Sequence, residues 1–465
     1  MKKSRIIKQE SGNGPAARFY AAVSGEHLAT QSAPIRTAWL IERLACQRGW
    51  PAGELLGSES ELREQLGVGR EALREAISIL SNRGVVEARR GRHGGVQVLS
   101  CDLMRTTGAV AAYLRAIEGD GDQVKRCVAG FDRLLAHRLS RRNGPLPARQ
   151  AGEAVRRWLA RAGEHPVYLL YAQVIETLTA AGPGDAPVPS ALLDAVGRGD
   201  AAAIASALGT IALDSPDPSN DPLAQSAHAR AFAIAQALLD RAALDGEREL
   251  GNEVSLCDEF SASRSVIRQS LRILQDLDVV QSRLGRSGGY EFKRPRPIGV
   301  IRQVYAWLAA CRLCPFGLVE LVWDHNATNV RMAADRLASL PEGEKERHLA
   351  ALDEVLEQKD DAQRFVNLQK RLGELAACPL VDILARSIVS YQARQPDERP
   401  EPWAALSFVA EERQIVAALR AGQPDRAEAA IRAMENKLLE ALRDTPDAPA
   451  AIRQADKHST TTVTQ

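Results

Sequence analysis

Aromatic residues make up only 5% of this 465-residue sequence, and no apolar run approaches the roughly 18 residues that a membrane span needs. The first residues, MKKSRIIKQESGNG, carry charge but lack the apolar stretch of a secretion signal. Seven cysteines, an odd number spread over a long chain, are typical of reduced thiols rather than of a disulfide framework. We therefore expect a cytoplasmic protein that does not associate with membranes.

The sequence also has no excess of charge of either sign, since 60 Lys and Arg residues face 59 Asp and Glu residues. Any basic surface must therefore be local. The hydrophobic fraction of 45% and the charged fraction of 26% are those of an ordinary globular protein. The length predicts about two to four domains, and the abundance of Ala and Leu favours helices.

Motifs of catalysis are absent from the sequence. It contains no nucleophile elbow, Walker loop or HExxH pair. Cys311 and Cys314 form a single CxxC, which lacks the second pair of ligands that zinc requires, so we predict buried thiols in a helical segment. We expect no enzymatic activity, no bound metal and no cofactor.

The sequence repeats itself. Residues 59–95 align with residues 253–289 without a gap at an offset of 194 residues, and 13 of the 37 positions are identical. Looser similarity continues after each block, so that AGEHPVYLLYAQVIETL is similar to AACPLVDILARSIVSY. The repeat predicts two copies of one unit, each a small block followed by a longer Ala- and Leu-rich segment.

Apolar spacing and turn residues predict the structure of one block. A helix over residues 35–48 is followed by a short helix over 59–66 that Ser58 caps, and Gly67 and Gly69 bracket a tight turn. A second helix over 70–82 ends at Gly84, and the alternating segment VVEARRGRHGGVQVL predicts a two-stranded hairpin. This order is that of a winged helix-turn-helix, whose second member enters the major groove of DNA.

The basic residues of each block lie where such a domain would contact DNA. Arginines four apart share one side of a helix and can reach guanine edges or phosphates, and a glycine-rich wing tip can follow the minor groove. An arginine pair alone is most often a solvated helix face, but two copies of the whole pattern favour binding to double-stranded DNA. The predicted contacts are Arg70, Arg74, Arg89, Arg90, Gly91 and Arg92 in the first copy, and Arg264, Arg268, Arg272, Arg283, Gly285 and Arg286 in the second.

These residues resemble the winged-helix signature of the GntR family of bacterial transcription regulators. The segments LGSESELREQLGVGREALREAISILSNRGVVEARRGRHGG and LGNEVSLCDEFSASRSVIRQSLRILQDLDVVQSRLGRSGG share its acidic residue, its arginine pair and its glycine-rich wing. The resemblance implies DNA contacts by Arg70, Arg74 and Gly91, with Arg264, Arg268 and Gly285 as their counterparts. A third family contact, an arginine, is replaced by Ser60 and Val254.

The longer segments are similar to the all-helical FCD ligand domain of one GntR subfamily. In that subfamily an Asp and three His hold a metal, and the resemblance places Phe365, Gln369, Glu412 and Lys437 at these positions. The corresponding pair of the first copy is Gly152 and Arg156. Such side chains do not form a metal site, so the resemblance implies degenerate sensor domains without a metal.

We therefore predict a mainly α protein with two winged helix-turn-helix domains, each followed by an all-α, FCD-like helical bundle. The predicted divisions are a flexible tail over 1–30, winged helices over 31–100 and 225–295, helical domains over 101–214 and 296–442, a linker over 215–224 and a disordered tail over 443–465.

The predicted function is sequence-specific DNA binding in the regulation of transcription, with an unidentified small-molecule effector or a partner as the signal that changes DNA binding. One chain supplies both DNA-binding domains as a pseudo-dimer, or two chains form a homodimer. The alternative is an interaction or scaffold protein whose winged helices serve mainly for association.

Overall fold

The computed structural model describes residues 32–91, 94–100, 102–117, 121–142, 144–179, 187–211, 227–245, 248–283, 288–313, 318–393 and 406–443. The predicted N-terminal tail, the linker and all but the first residue of the predicted C-terminal tail lie outside these ranges. The chain divides into two compact units. One comprises residues 1–313 with 386–394, and the other comprises residues 314–385 with 395–465.

The first compact unit opens with a module of three helices and a small antiparallel sheet, here called the first module. Its elements are α1 (Ala33–Gln47), β1 (Leu55–Gly57), α2 (Glu59–Leu66), α3 (Arg70–Arg83), β2 (Val86–Arg89) and β3 (Gly95–Val98).

Capping residues and glycines set the helix boundaries of this module. Ser58 and Glu61 form a capping box at the start of α2, which ends at Gly67 in the left-handed conformation. Gly84, with a φ of +73°, ends α3 in the same way. The prediction of a two-stranded hairpin was incomplete: β1 also pairs with β3 to give the strand order β1-β3-β2. With three residues, β1 is too short to show the alternation of apolar and polar residues that would predict a strand.

The same order of elements occurs a second time in the first compact unit, in what we call the second module. Its sheet has the equivalent order β4-β6-β5. The elements are α10 (Ala227–Asp245), β4 (Glu249–Gly251), α11 (Glu253–Glu259), α12 (Arg264–Asp276), β5 (Val280–Arg283) and β6 (Gly289–Phe292).

Helices follow each module. In the first compact unit α4 packs on α7, α5 on α9, and both α10 and α13 on α4. The rings of Phe131 and Tyr171 stack at 5.3 Å between α5 and α7. These helices are α4 (Leu103–Ala116), α5 (Gly121–Ser140), α6 (Val155–Ala162), α7 (Pro166–Thr179), α8 (Ser190–Arg198), α9 (Ala201–Gly209) and α13 (Ile298–Ala310).

The second compact unit is built of helices, among which α14 packs against both α16 and α19. Trp323, Phe365 and Phe408 form an aromatic cluster within it, with ring centroids 5.6–6.2 Å apart. The helices that follow α13 are α14 (Val319–Ser339), α15 (Glu342–Leu356), α16 (Asp361–Ala376), α17 (Pro379–Ala393), α18 (Val409–Arg420) and α19 (Pro424–Arg443). Within the described residues, no helix has the length and apolar character to cross a membrane.

Candidate nucleic-acid interface

In the first module the predicted arginine pair begins α3. Leu62, Leu73 and Leu80 are fully buried, so the opposite side of α3 faces solvent. Arg70 and Arg74 are both exposed there. The Nε of Arg74 donates to Glu59, the first residue of α2, at 3.2 Å. The guanidinium of Arg70 makes no ion pair with any described residue, so within this pair only Arg74 is held by a carboxylate.

The second module holds its arginine pair more tightly. Arg264 and Arg268 both donate to the carboxylate of Glu253, at 2.8 and 3.0 Å. These hydrogen bonds, from Arg268 first and Arg264 second, lower the pKa of Glu253. Arg272 is exposed one turn further along the same helix. Glu253 and Arg268 occupy the positions equivalent to Glu59 and Arg74, so the same ion pair occurs in both modules.

The wing of the first module carries exposed arginines on a tight hairpin. Arg89 and Arg90 are exposed, and Gly91 has a φ of +113°, a conformation that side chains rarely adopt. A Cβ on Gly94 would lie 2.3 Å from the carbonyl oxygen of Arg89, so the tip requires glycine. The predicted contact Arg92 lies outside the described residues.

The second wing is described only at its base. The guanidinium of Arg283 pairs with Glu249 of the neighbouring β4, and about half of its side chain remains exposed. A Cβ on Gly289 would lie 2.6 Å from the carbonyl oxygen of Gly251, so the hairpin packs closely against β4. The predicted contacts Gly285 and Arg286 lie outside the described residues.

The structure brings the two modules together through an ion cluster that sequence patterns did not reveal. The ends of α3 and α12 pack against each other. Arg83, the last residue of α3, binds Asp276, the last residue of α12, with hydrogen bonds of 2.8, 2.9 and 3.2 Å. It also donates to Glu42 of α1 at 3.1 Å. These three residues lie outside the set of identical repeat positions, so the repeat gave no signal for them.

At the positions where the resemblance places metal ligands, the side chains form aromatic contacts or ion pairs instead. Phe365 belongs to the aromatic cluster, and Glu412 accepts from Arg364 at 2.5 Å. Arg156, which the resemblance places at another such position earlier in the chain, forms a buried ion pair with Asp132 through hydrogen bonds of 2.8 and 2.9 Å. Over the ranges that the structure describes, no group of three or more His, Cys, Asp or Glu side chains could hold a metal ion.

One thiol departs from the sequence prediction. Cys311 is exposed, not buried, because it follows the last turn of α13 and the chain leaves the helix there. Cys314, the other thiol of the CxxC, lies outside the described residues.

Comparisons with known proteins match parts of this chain. The family model described as "Bacterial regulatory proteins, gntR family" matches residues 38–96. The putative HTH-type transcriptional regulator RmpR of Mycobacterium gastri is 41% identical over 91 residues, which are 18% of this chain and 33% of that protein. Mce2R of Mycobacterium tuberculosis, an HTH-type transcriptional regulator, is 41% identical over 76 residues, or 14% of this chain and 32% of that protein. The Glc operon transcriptional activator of Escherichia coli is 42% identical over 60 residues, or 13% of this chain and 24% of that protein.

Two solved structures also match, each over 45% of this chain. Streptococcus agalactiae GntR is 16% identical, with a TM-score of 0.30, and the match covers 98% of that structure's chain. E. coli McbR/YncC is 13% identical, with a TM-score of 0.22, and the match covers 95% of that structure's chain. The chain spans about a third or less of the length of the curated relatives that it matches. Residues 38–96 thus form a helix-turn-helix domain of the gntR family of bacterial regulatory proteins.

Proposed function

We propose that this chain is a sequence-specific DNA-binding regulator of transcription in which both modules read DNA. The observation that carries the proposal is the exposed arginine pair at the start of α3 and again at the start of α12. At these positions guanidinium groups can reach guanine O6 and N7 or the flanking phosphates. The wing arginines Arg89, Arg90 and Arg283 would add contacts to the DNA backbone.

A tandem duplication explains the second module. The two modules share the order of their elements, the strand order of their sheets and an ion pair between the first residue of the short helix and the second arginine. Both short helices also begin at a side-chain cap, Ser58 in one and Asn252 in the other. We infer that the second module is a winged helix-turn-helix like the first.

The two readers would recognise different sequences. Residues 71 and 72 of α3 are Glu and Ala, whereas the equivalent residues 265 and 266 of α12 are Ser and Val. These residues lie in the first turn of each helix, the part that contacts base edges in helix-turn-helix proteins. We therefore expect an operator with two non-identical half-sites, and a perfect palindrome should bind less tightly. Equal or tighter binding to the palindrome would contradict this expectation.

The helical segments would act as degenerate sensor domains that set the spacing and angle between the two modules. The aromatic cluster around Phe365 and the buried pair of Arg156 with Asp132 support this, because both fill positions that hold a metal site in the FCD domains they resemble. An effector that favours one arrangement of the readers would then change DNA binding by shifting that equilibrium. The identity of the effector is open.

Fluorescence anisotropy of the full chain tests the proposal. The chain would be titrated with duplex DNA from upstream of its own gene and with a scrambled duplex, over a salt series. We expect binding to the native DNA to be about a thousandfold tighter or more, the usual margin of a specific regulator. Equal, steeply salt-dependent binding to both would mean contacts to the backbone alone and would contradict sequence-specific reading.

A double variant separates DNA reading from association. Arg70→Ala with Arg264→Ala should weaken binding to the native DNA, while Arg347→Ala, an exposed arginine of α15, serves as the matched control. If the double variant binds DNA as the unmodified chain does, the modules serve association, and the scaffold function is the better account.

A further inference from the structure

The ion cluster of Glu42, Arg83 and Asp276 joins the two modules at the last residues of α3 and α12. Arg83 uses its Nε and Nη2 on Asp276 and its Nη1 on Glu42. A planar guanidinium has donors in fixed directions, so it meets two carboxylates only when they lie at one separation and orientation. A lysine has no such fork. The cluster therefore selects one arrangement of α3 and α12.

Burial makes this arrangement hard to leave. The side chains of Arg83 and Glu42 are each 2% exposed, and that of Asp276 is 16% exposed. Burial alone would lower the pKa of Arg83, but the charges and hydrogen bonds of Asp276 and Glu42 raise it above its usual value. Separation of α3 from α12 would break the hydrogen bonds between Arg83 and Asp276 and leave Arg83, which is almost fully buried, with a single carboxylate partner.

Neighbouring elements hold the same end of α3. The side-chain amide of Gln303, on α13, donates to the backbone carbonyl of Arg83 at 3.1 Å. Arg105, on α4, donates to the carbonyl of Ser81 at 3.2 Å. The helices that follow both modules thus hold the point where the modules meet, and a shift of those helices would act on this point.

The cluster lies at the C-terminal ends of α3 and α12, whereas the arginines proposed to contact DNA lie at the N-terminal ends of these helices. Arg70 is thirteen residues before Arg83, so a rise of 1.5 Å per residue places the start of α3 roughly 20 Å from the cluster. Arg264 is about as far from Asp276 along α12. A rotation of about 10° at the cluster would move either end by about 3.4 Å, which is one base-pair step along DNA.

We infer that the ion cluster fixes the number of base pairs between the two half-sites, so that Arg83 and Asp276 are positioning residues for specificity. This inference rests on the proposed function. The cluster occurs once per chain, because the equivalent positions in the other module are Asn82, Leu277 and Gln236. The spacing is therefore a property of this pair of non-identical modules, and neither module carries it alone.

A spacing series tests the inference. An operator is first selected from a randomised duplex pool with the full chain, and its half-sites are then moved apart or together by one and two base pairs. We expect the unmodified chain to lose at least about tenfold in affinity for each base pair of change, comparable to a mismatch in a half-site. Asp276→Asn removes the charge but keeps the shape, and should flatten this profile to within about twofold. Asp353→Asn, in an exposed ion pair with Arg420 of the second compact unit, is the matched control.

Two further variants distinguish a loss of the ion cluster from a loss of folding. Arg83→Met removes the hydrogen bonds to both Asp276 and Glu42 and should flatten the profile too. Circular dichroism checks that each variant is folded. The triple variant Glu42→Leu, Arg83→Met, Asp276→Leu replaces the charges by packed apolar groups, a change that preserves stability in other proteins. It should be stable and yet tolerant of spacing.

The results separate the two hypotheses. If the folded variants keep the sharp spacing profile of the unmodified chain, the cluster only stabilises the fold and the inference is wrong, while the proposed function stands. If the unmodified chain selects no sequence from the pool, the proposed function fails, and the inference fails with it.

Discussion

Glu253 holds two arginines of the second module with a single carboxylate, and its removal has a calculable effect on DNA binding. The side chains of Arg264 and Arg268 are 64% and 49% exposed, so phosphates of DNA can compete for them. The three side chains together carry one positive charge. In Glu253→Gln they carry two, and one further counterion should be released from DNA on binding.

The magnitude follows from the salt dependence of binding. Each neutralised phosphate steepens the slope of log K against log salt by about 0.9. For Glu253→Gln we expect tighter binding to scrambled duplex DNA at 50 mM salt. We also expect the loss of affinity between 50 and 200 mM salt to grow by about three- to fourfold relative to the unmodified chain. Fluorescence anisotropy over the salt series measures both quantities.

The control and the pH dependence make this prediction specific. Glu344→Gln makes the same charge change in an exposed ion pair with Arg347, outside both modules, and should leave the slope unchanged. The pKa of Glu253 is lowered, so its ion pairs are intact above the ordinary pKa of 4.5 and are lost only as the pH falls through the lower value. The effect should therefore persist from pH 7 to pH 5. Weaker binding with an unchanged slope would refute this reasoning, because Glu253 would then orient the arginines for DNA.

Three other predictions concern the interior of the protein. Arg156→Met leaves the buried carboxylate of Asp132 unpaired and should lower the free energy of unfolding by about 3–5 kcal/mol in urea titrations at pH 7. This loss of stability should be smaller at low pH, where protonation removes the charge of Asp132. An equal loss at all pH values would contradict the claim that an unpaired Asp132 carboxylate causes it. Leu62→Ala, at a fully buried position, should cost about 2–5 kcal/mol, and exposed Leu193→Ala should cost far less. Added Zn²⁺ should leave the melting temperature unchanged, since Phe365 and Gln369 replace metal ligands; a rise that EDTA reverses would refute this.

Local signals in the sequence predicted most of the first module. The helix over 59–66 has the predicted bounds, because Ser58 caps its start and Gly67 ends it, and both effects act within one turn. The second helix runs one residue further than predicted, to Arg83, because Gly84 takes the left-handed conformation immediately after it. The exposed positions of Arg70 and Arg74 also followed from helical periodicity.

Contacts between distant residues were beyond the reach of such signals. The strand β1 is defined by its pairing with β3, about forty residues later, and its own three residues carry no pattern. The ion cluster joins Arg83 to Asp276 across 193 residues, and nothing in the spacing of charges singles these two out. The exposure of Cys311 likewise depends on where α13 ends within the tertiary structure.

The packing of α3 against α12 lies within one polypeptide, and this has a consequence for how the protein responds to its own abundance. Two subunits that meet by diffusion separate when they are diluted, so their joint binding to DNA falls steeply at low concentration. Two modules on one chain keep the same local concentration at any dilution. A substitution in one of them also leaves the other unchanged, whereas in a pair of identical subunits it would change both. The sequence of each module can therefore drift separately while their contact is maintained.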